Sequence, residues 1–265
     1  MAKEEMIRVI SLYPHAMRFT EAMQWVVNAG INKQQGFVCF ANVHMTIEAY
    51  KDPSFAQQLQ TASLVLADGQ PIAKAMRWFS GKPQERIAGM DFLPSFLQYI
   101  NERKTALRIF LLGGEEAILS AMQDRIRNEF PFVQLAGIYA PPFGNWSEEE
   151  NDTIIRRIHD AGAQVVFVAF GCPRQEKWMA ANTGAINAVL LGVGGAFSVF
   201  SGKQSRAPVW MQRSGLEWLY RLQQEPGRLI KRYVTTNSLF ILLLLKQLIQ
   251  SIAGFDKQQH HKDTK

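Results

Sequence analysis

Short apolar runs recur along the first three-quarters of the chain, and each stops at a turn signal. Residues 37–41 (FVCFA) run up to Asn42, 63–67 (SLVLA) to Asp68-Gly69, and 107–112 (LRIFLL) to Gly113-Gly114. Residues 133–139 (VQLAGIY) lead into a Pro-Pro turn, 163–170 (AQVVFVAF) into Gly171-Cys172-Pro173, and 188–193 (AVLLGV) into Gly194-Gly195. Runs that are apolar on both faces predict buried parallel strands. Segments of helical pattern lie between them. Residues 91–104 open at Asp91, read as an N-cap, with Pro94 in the first turn. Residues 115–129 carry two glutamates at the start, where the helix dipole favours them. Residues 147–161 open on Ser147-Glu148-Glu149-Glu150, a capping-box pattern. Alternation of strand and helix predicts an α/β fold with a mostly parallel sheet flanked by helices.

Beyond about residue 203 the strand signals stop. Residues 206–250 are helical in pattern, aromatic and basic. The chain thus divides into an α/β domain over 1–203, a helical appendage over 204–253, and a polar tail over 254–265 expected to lack regular structure. The apolar stretch LFILLLL at 239–245 ends at Lys246, which reads as too short for the roughly 20 apolar residues of a spanning helix. The N-terminal sequence, with acidic residues and no long apolar core, does not read as a signal peptide.

The chain has 265 residues and a net charge of +6, with a pI of about 9.4. That balance suits a polyanion, a phosphorylated substrate or an anionic membrane surface. Two cysteines, Cys39 and Cys172, lie outside any metal-binding spacing and read as reduced thiols.

Ligands of open parallel sheets bind beyond the carboxyl ends of the strands. That rule gathers Asn42, Asp68, Gly69, Gly113, Gly114, Gln175 and Gly194 as candidates. Asp68-Gly69 has two readings: an ordinary turn pair, or a turn carrying a general base for an attacking hydroxyl. Gly113-Gly114 could bring backbone N–H groups to a diphosphate, although the neighbouring glutamates oppose this. The stretch lacks the G-x-G-x-x-G spacing, which disfavours a dinucleotide-dependent oxidoreductase. Arg174, Gln175 and Glu176 are either a plain helix start or a bidentate contact to a sugar or base. Arg86 is either a solvated loop charge or a phosphate ligand. In the appendage, Arg206, Arg213, Arg221 and Arg228 are interleaved with Trp210, Trp218, Tyr220 and Tyr233. This pattern fits a solvated amphipathic face, or diphosphate binding combined with an interfacial membrane surface. Pro226 and Gly227 should interrupt the helix between Arg221 and Arg228. No D-x-D sequence occurs, so leaving-group charge falls to Arg, Lys and backbone dipoles.

Taken in order, NVHM at 42–45, ADG at 67–69, ERIAGMD at 85–91, FLLGG at 110–114 and FGCPRQEKWM at 170–179 resemble the WecG/TagA/CpsF family of bacterial glycosyltransferases. GVGGAFSVFSGKQSRAPVWMQ at 192–212 and GLEWLYRLQQEPGRLIKRY at 215–233 complete the resemblance. It implies a Rossmann-like domain with a C-terminal appendage that associates with membrane and completes the active site. It implies inverting transfer, without metal or other cofactor, from a UDP-sugar donor to a polyprenyl-diphosphate-linked sugar acceptor in surface polysaccharide synthesis. The enzyme would be peripheral, on the anionic cytoplasmic face of the bacterial inner membrane. Nucleic acid is not among the implied partners, and self-association into a homo-oligomer is left open. The family's base aspartate falls on Asp68, its strand-end asparagine on Asn42, its loop arginine on Arg86 and its P-x-Q-E glutamine on Gln175. Its appendage arginines fall on Arg213, Arg221 and Arg228. Phe40 stands where many members have threonine, Ser198 where many have aspartate, and YAPPFG at 139–144 replaces a common G-Y-F. A non-catalytic basic module for membrane or nucleic acid is the alternative class; it would leave the polar residues at the strand ends without a role.

Overall fold

All six apolar runs pair in parallel. The computed structural model describes residues 5–224 and 226–260, without the side chains of residues 213, 228, 229, 231, 232 and 254–260. The strands are β1 (Gly36–Ala41), β2 (Leu64–Ala67), β3 (Arg108–Gly113), β4 (Gln134–Tyr139), β5 (Val165–Ala169) and β6 (Val189–Gly192). They form one sheet in the order β2-β1-β6-β5-β3-β4, and every pairing is parallel. Successive side chains point to opposite faces. Val38 and Phe40 enter one core with Leu64, Leu66, Ile109 and Phe167, covered by α1 (Phe19–Ile31), α5 (Gly89–Glu102), α6 (Glu116–Glu129) and α9 (Ala196–Phe200). Phe37, Cys39 and Ala41 enter the other with Val65, Phe110 and Val168. That face is covered by α2 (Val43–Lys51), α3 (Pro53–Gln60), α7 (Glu148–Asp160) and α8 (Arg174–Asn182). A strand buried on both sides has no polar face, which is why the runs are continuous.

The free edge at β2 is covered by the N-terminal segment. Met6 and His15, and Val9 and Leu12, pair as antiparallel bridges. His15 N–H donates to Val65 O at 2.8 Å, and its Nδ1 accepts from Val65 N–H at 3.0 Å. An exposed strand edge is thereby closed to pairing with another chain.

The appendage consists of α10 (Val209–Ser214), α11 (Glu217–Gln224) and α12 (Pro226–His260). α11 and α12 are separate helices, as Pro226-Gly227 predicted. α12 packs along α2 and α4 (Gln70–Ser80). Its Phe240 and Leu244 complete a third core with Ile7, Val9, Ile47, Ile72 and Met76. Burying those two side chains contributes about 3–6 kcal/mol to docking. Gln247 adds a two-way clamp: its Oε1 accepts from Ile10 N–H at 2.7 Å, and its Nε2 donates to Arg8 O at 2.9 Å.

Some expectations change. Helix α5 starts at Gly89 with Ala88 as N-cap, so Asp91 lies inside the first turn and Pro94 deeper in the helix. The Asp91 carboxylate is drawn to arginines instead of to backbone N–H groups. Tyr233–Ala253 is long and apolar enough to cross a membrane, with a mean hydropathy of 1.3 over 21 residues. The apolar stretch at 239–245 is therefore part of a longer segment than the sequence reading allowed. The expected polar tail begins as the last turns of α12, which runs to His260; residues 261–265 lie outside the described residues. Helix α7 is capped as the sequence predicts, Ser147 Oγ accepting from Glu150 N–H and Glu150 reaching back to Ser147 N–H.

Candidate active site

The β1–β2 register pairs Ala41 with Ala67. The next residues, Asn42 and Asp68, therefore leave the sheet side by side. Asp68 N–H still donates to Ala41 O at 2.9 Å, which fixes the turn. Asn42 is the N-cap of α2: its Oδ1 accepts from Met45 N–H at 3.1 Å. Its Nδ2 is left to donate to Asp68 Oδ2 at 3.4 Å. Gly69 is the N-cap of α4, with Pro71 in that helix's first turn. Asp68-Gly69 is thus a helix-start turn, and it leaves the Asp68 carboxylate at the end of β2.

Asp68 is half-buried. Burial pushes its carboxyl up to about 6, against the opposing effects of Arg86, the Asn42 hydrogen bond and Arg221, while Glu217 adds a push upward. A carboxylate of that proton affinity is ionised at neutral pH and is a stronger base than an ordinary aspartate. Arg86 reaches it because Ile87 N–H bonds to Ala67 O at 2.7 Å, folding the loop back onto the end of β2.

Arg86 is one of four charges in a ring. Its Nη2 donates to Asp91 Oδ2 at 2.6 Å, and its Nη1 to Glu217 Oε2 at 3.4 Å. Arg206 donates to the other oxygen of Asp91, and its Nε lies 4.0 Å from Glu217 Oε1. The sequence offered Arg86 and Arg206 as phosphate ligands; both already hold carboxylates. Asp91 and Glu217, which the sequence analysis does not mark as site residues, complete the ring. Arg221 differs: it has no hydrogen-bond or ion-pair partner among the described residues. Its Nη2 stands 2.7 Å from where a Cβ on Gly195 would be, against the turn that ends β6. The side chains of Arg213 and Arg228 lie outside the described residues.

The glycine turns sit at the same end of the sheet, because Gly113 pairs with Ala169 and Gly192 with both Cys39 and Val168. Gly113 has φ 98°, and a Cβ there would meet Ala169 O at 2.8 Å, so only glycine allows β3 and β5 this close. Gly114 and Gly194 also have positive φ. β3 leads outward to β4 by way of α6 on one face, and β5 leads inward to β6 by way of α8 on the other. Their carboxyl ends are therefore a topological switch point, where doubly wound sheets open a crevice. Glu115, beside the Gly113-Gly114 turn, is paired with Lys203 at 2.6 Å.

Gln175 and Glu176 sit beneath these turns and are 4% and 0% exposed. Gln175 Nε2 donates to Glu176 Oε1 at 2.7 Å and to Gly192 O at 2.9 Å. Its Oε1 accepts from Gly171 N–H at 3.2 Å. Both amide protons are therefore occupied within the protein, and Gln175 braces the ends of β5 and β6. Burial pushes the Glu176 carboxyl up to about 7. Arg174 lies over the Trp146 ring at 4.0 Å.

Residues 7–253 match the family described as Glycosyl transferase WecG/TagA/CpsF. The chain is 34% identical over 188 residues to the N-acetylglucosaminyldiphosphoundecaprenol N-acetyl-beta-D-mannosaminyltransferase of Bacillus subtilis, covering 71% of each chain. It is 34% identical over 206 residues to the protein of the same description from Bacillus spizizenii, covering 75% of this chain and 77% of that one. The family match spans nearly the whole chain and the relatives are 34% identical over most of their length, so this protein belongs to the WecG/TagA/CpsF family and is a glycosyltransferase.

Proposed function

We propose that the protein transfers a sugar from a UDP-linked donor to a sugar carried on a polyprenyl diphosphate, by a single inverting displacement. Asp68 takes the proton from the acceptor hydroxyl as that oxygen attacks the anomeric carbon. The bond to the UDP oxygen breaks, and the leaving diphosphate carries its negative charge toward Arg221 and the glycine turns at the ends of β3 and β6. Arg213 is assigned the same charge-neutralising role by the family resemblance. Arg86 holds its charge beside Asp68. Without a D-x-D pair in the sequence, these cations take the role a divalent metal fills elsewhere. One observation carries the proposal: a half-buried aspartate of raised proton affinity at a strand end, with Asn42, Arg86 and Arg221 around it.

The relatives are described as adding N-acetylmannosamine to N-acetylglucosaminyl-diphosphoundecaprenol. We take that pair as the first donor and acceptor to test. The purified protein, a panel of UDP-sugars and a short-chain lipid-diphosphate-N-acetylglucosamine would be analysed by mass spectrometry. Transfer from UDP-N-acetylmannosamine, in the presence of EDTA and with a β-linked product by NMR, is the expected result. Absence of transfer from every donor would overturn the proposal.

The acceptor's lipid places the reaction at a membrane, and α12 supplies a surface for it. While Phe240 and Leu244 face the domain, Ile241, Leu245, Ile249 and Ile252 are exposed at spacings of one helical turn. Val209, Trp210 and Trp218 are also exposed in the appendage. With one face of α12 docked, the reading is a helix lying on the cytoplasmic surface of the inner membrane with its outer face in the lipid, not one crossing it.

A further inference from the structure

Helix α11 carries Glu217 and Arg221 one turn apart, on the same face. The two make very different contacts. Glu217 is largely buried and engaged twice, by Arg86 at 3.4 Å and Arg206 at 4.0 Å. Asp91 closes the ring by binding the same two arginines. Arg221 has no such partner among the described residues, yet its guanidinium lies against Gly195, and its charge reaches Asp68. A long side chain without a hydrogen bond or ion pair depends for its placement on the backbone that carries it and on what it packs against.

We propose that Glu217 is a positioning residue: by docking α11 on Arg86 and Arg206, it holds Arg221 over the Gly194-Gly195 turn, facing Asp68. The proposal rests on the reading of Asp68 as the base, and it adds what aligns the appendage with that base. Domain and appendage each contribute one arginine and one carboxylate to the ring, Arg86 and Asp91 against Arg206 and Glu217. The appendage is therefore registered by charge at its start and by apolar packing along α12.

A role as a mere nearby charge predicts a result of opposite sign. The charged groups facing Asp68 are Arg86 from the loop before α5, and Arg221 and Glu217 from α11; Asn42 from the end of β1 is the neutral partner. If Glu217 acted only by its own charge, removing it would make Asp68 easier to ionise. If Glu217 holds Arg221 in place, removing it frees that arginine, and Asp68 becomes harder to ionise.

The test uses the full-length protein and Glu217→Ala, Arg221→Gln and the double variant, with Glu217→Gln serving where Glu217→Ala does not fold. The expected result is that the acid limb of the kcat/KM–pH profile moves up by about half a unit or more in each single variant. The double variant should match Arg221→Gln within about twofold, the sign of residues acting in series. A limb that moves down in Glu217→Ala, or effects that multiply, would overturn the proposal. Amide hydrogen exchange across α11 needs no substrate. It should speed up about tenfold or more in Glu217→Ala and stay unchanged in Arg221→Gln; unchanged exchange in Glu217→Ala would also overturn it. If the wild-type protein transfers no sugar, the exchange measurement still decides the docking role, and the failure lies with the functional reading.

Discussion

Asn42 serves two neighbours with one amide: its oxygen caps α2 through Met45 N–H, and its nitrogen donates to Asp68 Oδ2 at 3.4 Å. The two tasks can be separated. Aspartate caps a helix about as well as asparagine, so Asn42→Asp should leave stability nearly unchanged at about pH 5, where Asp68 keeps its proton and the two carboxylates do not repel each other. It replaces a donor with a second carboxylate, so Asp68 should ionise only at higher pH, and the acid limb of kcat/KM should move above about 6. Asn42→Ala loses the cap as well, at a cost of about 1 kcal/mol. Urea unfolding together with pH–rate profiles of both variants checks this; equal effects on stability would mean that the cap is not what Asn42 provides.

Asp68 couples activity and stability in opposite directions. As the general base, its loss in Asp68→Asn should lower kcat on the order of 10²–10⁴-fold. Wild-type activity should fall as pH drops through about 6, where the carboxylate gains its proton. Its proton affinity is raised in the folded state, so the folded protein is most favoured while Asp68 is protonated. That contribution is complete below the unfolded value near 4 and is lost as pH rises through about 6. Asp68→Asn should therefore be more stable than wild type by about 1–3 kcal/mol at pH 8 and equal to it near pH 4. Thermal melts across that range give the answer, and a destabilised Asp68→Asn at pH 8 would contradict the burial argument.

The strands were legible because their signal is local. A strand covered on both faces is apolar along its length, as β1, β2 and β6 are, whereas the edge strand β4 is only partly buried; all six runs fall within two residues of the observed elements. The strand-end rule then located Asn42, Asp68 and the glycine turns without further help. Helix α3, by contrast, was not read, because only Phe55 and Leu59 are buried in its eight residues and no periodicity emerges. Asp91 looked like an N-cap because its neighbours fit that pattern; its partner Arg206 lies 115 positions away. Glu217 meets Arg86 across 131 positions. Ion pairs between distant segments leave no spacing in the sequence, so the ring became visible only with the fold. The near hint was the Glu217–Arg221 interval of four within the appendage.

Gln175 distinguishes bracing from ligand contact. Its amide protons are spent on Glu176 and Gly192, and its oxygen on Gly171 N–H. Gln175→Ala leaves those buried groups without partners and should destabilise the fold by about 2–4 kcal/mol, read by urea unfolding. A variant with wild-type stability but weakened donor binding would instead make Gln175 a direct ligand of the donor.

The outer face of α12 is better tested by substitution than by truncation. Removing the appendage would uncover Ile7, Val9, Ile47 and Ile72, which Phe240 and Leu244 cover, so lost binding could not be told from lost folding. Ile241, Leu245 and Ile249 point away from that core and are 57%, 52% and 68% exposed. Replacing all three by serine removes apolar area without touching the docked face, and thermal stability should stay within about 1 kcal/mol of wild type. Co-sedimentation with vesicles containing anionic lipid should weaken by about 100-fold or more, because each of the three side chains contributes about 1.5–3 kcal/mol when buried in an apolar phase. Transfer to a water-soluble short-chain acceptor should persist, since the three exposed side chains are not part of the core that α12 closes, while transfer to a long-chain acceptor in vesicles should fall with binding. Undiminished vesicle binding by the triple variant would remove α12 as the membrane surface.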